Sequence, residues 1–298
     1  MDKYLLPEDD GLPARPSGKW VKEKLFYVKK YIDVFEISMR NKSWRRRIYI
    51  DLFSGPGKCK IRRSEEYILG SPLLAIQTQH PFTDYFFVDL KQNNIDVLQE
   101  RCKASPISKE ALHFLVGDAN IKVDEIAQQI SDIDAKFVKG LMPCLNLAFL
   151  DPEGLELDWT TVETLARMKR MDLIIHYSQF GLTRNFETFY NSPNENRADR
   201  FFGSKEWRKV YADSLERGEI AIHRSLMDFY KSRLRELGYV VIKDNLEDVN
   251  QNVREPLIRH STKNAPLYRL LFASKHPLGN KLWKEVTKKD IYGQQSFW

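Results

Sequence analysis

Seven short runs of apolar, β-branched and aromatic residues recur along the chain, RIYIDLF, DYFFVDL, LHFLVGD, LNLAFLD, DLIIHYS, YVVIKD and LYRLLFAS. Their alternation with helix-sized segments constrains the fold more than any other feature. Continuous apolar strands need burial on both sides, so strands that alternate with helices build a mainly parallel sheet covered on both faces. The last two runs are joined by a loop without a convincing helix, which predicts an antiparallel pair at one end of the sheet. The expected architecture is α/β and Rossmann-like, with about seven strands.

A length of 298 residues accommodates one large α/β domain with an elaboration. Residues 1–18 are rich in Pro, Gly and acidic side chains, lack periodicity, and read as an extended arm. A single domain is expected over 19–298. It opens with a helix over 19–40, in which Val21, Leu25, Val28, Ile32, Phe35 and Met39 recur at helical spacing. It also carries a helical insertion over 179–238, read as a lid or a substrate-binding region. No stretch approaches the roughly 18 apolar residues of a membrane helix, and the amino terminus has no apolar signal core. A cytoplasmic location without membrane contact is the expectation. Cys59, Cys102 and Cys144 form no CxxC pair, which argues against a disulfide framework and a zinc cluster, so no metal is expected.

The net charge of +6 is concentrated in KSWRRR (42–47) and KCKIRR (58–63). Such clusters suit a polyanion such as DNA or RNA, although solvated loops look the same in sequence. Lys58, Lys60, Arg62 and Arg63, with Arg184 further on, are the candidate substrate contacts.

The strongest local signal is YIDLFSGPGKC, where an apolar strand runs directly into a glycine bend. Glycine lets the backbone approach a ligand closely. A dinucleotide-binding turn would read GxGxxG and pass straight into a helix, whereas GPGKCK leads into a charged loop, which disfavours NAD and FAD. The next helix is expected at GSPLLAIQT, capped by Ser71 with Pro72 in its first turn. Asp51, Phe53, Ser54, Gly55 and Gly57 are thus candidates for holding S-adenosylmethionine. Asp89 with Leu90, and Asp118 with Ala119, end the next two strands. Carboxylates there can accept hydrogen bonds from ribose hydroxyls and from an adenine amino group, and open α/β sheets bind ligands at this edge.

The fourth run continues as LNLAFLDPEGLELDW. Its Asp151-Pro152 pair resembles the D/N-P-P-Y/F motif of amino-group methyltransferases, in which the acid and a neighbouring carbonyl orient a substrate amine and catalysis is mainly positioning. Glu153 and Gly154 replace the second proline and the aromatic, and Trp159 is a conceivable substitute for that ring. Pro143-Cys144 precedes the fourth strand, the wrong side for a cysteine nucleophile. His176 reads as a core histidine more than a base.

WVKEKLFYVKKYI, YIDLFSGPGKCKIRR with GSPLLAI, FFVDL, LAFLDPEG and LYRLLFASKHPLGNKLWKEV together resemble the three-Cys-motif partner (TcmP) proteins of bacteria and archaea. The resemblance implies a class I methyltransferase-like fold, S-adenosylmethionine as cofactor, and partnership with a three-Cys-motif protein that is itself radical-S-adenosylmethionine-like. Two functions are then expected: methyl transfer to an amino group, with nucleic acid as substrate, or a non-catalytic module that holds the cofactor or a nucleotide for that partner.

Overall fold

The computed structural model describes residues 2–136, 138–239 and 255–294. The elements run β1 (Arg15–Ser17), α1 (Val21–Met39), β2 (Arg47–Asp51), β3 (Lys58–Ile61), β4 (Tyr67–Leu69), α2 (Ser71–Ile76), β5 (Asp84–Asp89), α3 (Gln92–Cys102), β6 (Leu112–Val116), α4 (Ala119–Ala135) and β7 (Leu145–Leu150). They continue with α5 (Trp159–Arg167), β8 (Met171–Tyr177), α6 (Gln179–Thr183), α7 (Phe186–Asn191), α8 (Arg197–Phe202), α9 (Trp207–Ala212), α10 (Glu219–Glu236), β9 (Leu257–Arg259), β10 (Pro266–Ala273) and α11 (Pro277–Thr287).

The main sheet has seven strands in the order β6-β5-β2-β7-β8-β10-β9. β6, β5, β2, β7 and β8 are mutually parallel, whereas β10 runs against both β8 and β9. This order, with one reversed strand near an end, is a Rossmann-like arrangement. Every residue of β7 is buried, as a central strand between two helical layers requires. One core forms under α1, α2, α3 and α11, and the other under α4, α5 and α8 to α10.

Three local expectations change. The segment YVVIKD lies, beyond Tyr239, outside the described residues, and Leu257–Arg259 is the edge strand that pairs with β10. The amino-terminal arm is pinned to the domain, because β1 joins β3 and β4 in a second sheet and Asp10 is buried against Lys58 and Arg101. The charged loop after the glycine bend is a strand pair, in which Cys59 and Ile61 turn inward onto Val21 and Leu25 while Lys60 alternates outward. Charge concealed that period of two.

Candidate functional site

From β2 the chain steps outward through β5 to β6, then returns to place β7 on the other side of β2. At such a reversal the loops after the two strands part and leave a crevice at their carboxyl ends. Asp51 ends β2 and Asp151 follows β7. A cavity of about 480 Å³ opens here, within the roughly 300–1,000 Å³ typical of small-molecule sites. One wall is the bend Phe53 to Gly57; the other contains Asp151, His176 and Tyr268.

The bend needs its glycines. Gly55 and Gly57 have φ of +61° and +91°, and a Cβ on Gly57 would lie 2.8 Å from Leu98 Cδ1. Two strand-end acids hold it: the Phe53 amide donates to Asp51 Oδ1 at 3.2 Å and the Gly55 amide to Asp89 Oδ2 at 3.0 Å. Ser54 donates to the Val88 carbonyl, so the bend is stitched to β5. Asp51 is fully buried, and its Oδ2 has no hydrogen-bond partner among the described residues. Burial pushes its carboxyl up to about 7, opposed by the neighbouring Ser71 hydroxyl and reinforced by Asp151. Ser71 is the first residue of α2, whose cap position is Gly70, so its side chain faces Asp51 in place of closing the helix.

Asp151 is the most heavily engaged group. Lys24 Nζ binds its Oδ2, and His176 Nδ1 lies 2.8 Å from its Oδ1. Burial alone would raise its pKa, but Lys24, His176 and Arg15 hold it below the ordinary carboxylate range. Desolvation lowers the proton affinity of His176 against the pull of Asp151. The Tyr268 ring packs on the imidazole with centroids 4.0 Å apart. Arg15 reaches Glu153 at 3.0 Å across the mouth.

The structure therefore brings Phe53, Ser54, Gly55, Gly57, Asp151 and Pro152 to one cavity, with Asp51 behind it and Asp89 joined through Gly55. Leu90 is exposed beside Asp89, whose other oxygen accepts from Lys91 and Asn94. Asp118 stands apart as the cap of α4, accepting from the Asn120 amide, with Ala119 buried behind it. Lys58 also lines the cavity, with its ammonium held by the amino-terminal segment. Its buried ammonium donates to the Lys3 and Glu8 carbonyls and pairs with Asp10 at 2.8 Å. Lys60, Arg62 and Arg63 line an adjoining groove, and Arg62 borders both spaces. Arg184 is exposed, with its guanidinium over the Phe180 ring. Trp159 is core, donating to Glu163, and burial pushes the Cys144 thiol up to about 12.

Sequence reasoning missed Lys24, Arg15 and Tyr268 and set His176 aside. Lys24 carried a signal, since it sits on the buried stripe of α1 between Val21 and Val28. A lysine on an apolar face implies a buried partner. Arg15 carried none.

The fold is α/β and Rossmann-like, with a cavity at the reversal of its strand order. No family profile and no curated protein matches the chain. Among solved structures it is similar to a Pyrococcus horikoshii protein described as a candidate RNA methyltransferase (12% identity, 89% of this chain and 93% of that one, TM-score 0.41). It is also similar to the magnesium protoporphyrin IX methyltransferase of Synechocystis with bound S-adenosylhomocysteine (13% identity, 87% and 88%, TM-score 0.39). A third is the S-adenosylmethionine-dependent methyltransferase of Thiobacillus denitrificans, in complex with S-adenosylhomocysteine (12% identity, 74% and 72%, TM-score 0.32). Among the described residues, no helix is long and apolar enough to cross a membrane.

Proposed function

We propose that this chain is an S-adenosylmethionine-dependent methyltransferase acting on an amino group of a nucleic acid. The observation that carries the reading is the cavity at the β2/β7 reversal, with a glycine bend on one wall and an ionised, buried carboxylate on the other. The residues fit the cofactor. Asp51 Oδ2 is a buried acceptor without a partner among the described residues, and Gly57 admits no side chain. Leu90 and Ile121 leave 71% and 70% of their surfaces exposed beside the ends of the neighbouring strands β5 and β6, where a flat base could rest. In this reading Asp51, Phe53, Ser54, Gly55 and Gly57 hold the amino-acid part, Asp89 and Leu90 the ribose, and Asp118 and Ala119 the adenine. Bound there, S-adenosylmethionine supplies an electrophilic methyl group on a sulfonium. Asp151 and Pro152 form the wall facing the acceptor amine.

Nucleic acid is favoured by the groove of Lys60, Arg62 and Arg63 and by Phe180, a half-exposed ring on the cavity wall with Arg184 over it. Phe180 offers the stacking surface that Glu153 and Gly154 do not. The resemblance to the three-Cys-motif partner family supports a working partnership with the radical-S-adenosylmethionine-like protein of that name. Incubation with methyl-labelled cofactor and cellular RNA, DNA and protein tests the reading, and label in a nucleic-acid fraction is the expected result.

A second reading is a non-catalytic cofactor- or nucleotide-binding module of the same partner. One observation favours it: both oxygens of Asp151 are already engaged by Lys24 and His176. No label in any fraction, despite cofactor binding, selects this alternative. So does a phenotype that survives Asp151→Ala but not loss of the partner contact.

A further inference from the structure

We infer that His176 is the general base of the reaction, oriented by Asp151, and that the methyl acceptor therefore carries a hydrogen on its attacking atom. This rests on the transferase reading above. A histidine that merely fills a core has both ring nitrogens satisfied. His176 makes one hydrogen bond, through Nδ1 to Asp151 Oδ1 at 2.8 Å. Its Nε2 has no partner among the described residues although its side chain is only 7% exposed, and the residue lines the cavity. An acid holding one imidazole nitrogen while the other faces a binding space is the arrangement of a positioned base.

The surroundings fix both tautomer and charge. Four groups face the ring: Asp151 after β7, Lys24 of α1, Arg15 of β1 and Tyr268 of β10. Lys24 on the second oxygen keeps Asp151 ionised, so Asp151 accepts from Nδ1–H and the lone pair is left on Nε2. Lys24 and Arg15, with burial, disfavour a proton on the ring before reaction. Tyr268 fixes the ring plane at 41° to its own. Asp151 is thus a positioning residue, which accounts for its saturated oxygens without removing it from the chemistry.

The step balances as follows. The lone pair of the acceptor nitrogen forms the new N–C bond, the methyl C–S bond breaks, and its electron pair stays on sulfur, neutralising the sulfonium. The methylated nitrogen, now cationic, sheds a proton to the lone pair of His176 Nε2 and keeps the N–H electron pair. A ring nitrogen without hydrogen, such as adenine N1, gains nothing from this base, so the acceptor is an N–H nitrogen, the class to which an exocyclic amino group belongs.

Long-range proton–nitrogen NMR of ¹⁵N-histidine in the full-length, cofactor-free protein tests the arrangement without turnover. The six histidines are sorted by the loss of one spin system in His176→Gln. At neutral pH His176 is expected neutral, with hydrogen on Nδ1 and a bare Nε2, and Asp151→Ala is expected to move hydrogen onto Nε2. A bare Nδ1 in the wild type overturns the proposal. If His176→Gln does not fold, the Asp151→Ala shift supplies the assignment.

Turnover is then read with labelled S-adenosylmethionine and total cellular RNA and DNA. His176→Gln is expected to lower label incorporation by about 100-fold or more, with S-adenosylhomocysteine affinity unchanged within about threefold. The acid limb of the wild-type pH profile should vanish in the variant. Incorporation within about threefold of wild type overturns the base role and leaves the transferase standing, as does label on ring nitrogens that carry no hydrogen. No label from wild type despite cofactor binding overturns the transferase reading and the base role with it.

Discussion

Replacing Lys24 by Met isolates the electrostatic centre of the site while keeping the length of the side chain. Lys24 and Asp151 pair with side chains only 9% and 8% exposed. Removing one member of a buried pair typically costs about 3–5 kcal/mol, because the remaining charge loses its compensation. Asp151 would keep its contact with His176 and the field of Arg15, which places the loss near the low end, about 3 kcal/mol. At about 2.1 cal/mol/K of unfolding entropy per residue, a chain of this length loses roughly 5 °C in Tm. The pH dependence follows from what replaces Lys24. The proton on His176 becomes the nearest compensating charge, so the folded pKa of His176 rises from its depressed position in the wild type. A folded pKa higher in the variant than in wild type favours the variant at low pH, and that advantage is lost as pH rises through it. The Tm deficit of the variant should therefore be smaller near pH 5.5 than near pH 8, each value compared with wild type by calorimetry at the same pH. A deficit under about 1 °C at both pH values, or a larger one in acid, would refute the buried triad.

Three further outcomes are expected. Asp51, raised to about 7 by burial, should contribute stability below its unfolded pKa that is lost as pH rises through 7, so Asp51→Asn should remove that decline; denaturant titration from pH 5 to 9 would show it, and a parallel decline in the variant would contradict it. Gly57→Ala forces a non-glycine residue to φ +91° and its Cβ to 2.8 Å from Leu98, which should cost about 1–3 kcal/mol and lower cofactor affinity; a neutral effect in both chemical denaturation and calorimetry would count against the bend as a cradle. Arg101 holds both oxygens of buried Asp10 at 2.8 Å and the Pro13 and Leu12 carbonyls, so Arg101→Met should release the amino-terminal segment and make it the first site of proteolytic cleavage, and an unchanged cleavage pattern would show that Lys58 alone retains it.

The parallel core of the sheet was readable because β2, β5 and β7 carry unbroken apolar runs, Ile48–Ile50, Tyr85–Val88 and Leu147–Leu150, a pattern that two-sided burial explains. α1 was readable from its 3.6-residue period. β3 and β4 were not, because Lys58, Lys60, Arg62 and Arg63 around Cys59 and Ile61 read as a solvated loop when only alternate residues face the core. The glycine bend and the acids at the strand tips were visible as residue types at fixed positions, and their convergence follows from topology. What sequence could not supply was the assembly across distance. Lys24 and Asp151 lie 127 residues apart, and nothing local to either announces the pair. The same separation concealed His176, whose role depends on which nitrogen Asp151 holds and which one faces the cavity. Asp118 was visible from its position after β6, and the structure adds that its Oδ1 caps α4 through the Asn120 amide.

Calorimetric titration of the full-length protein with S-adenosylhomocysteine, run beside NAD, is the most direct test of the cavity as a methyl-donor site. Saturable one-to-one binding at least about tenfold tighter than NAD, and weakened by Gly57→Ala, is the predicted result. Tighter binding of NAD, or no heat with S-adenosylhomocysteine, would contradict it.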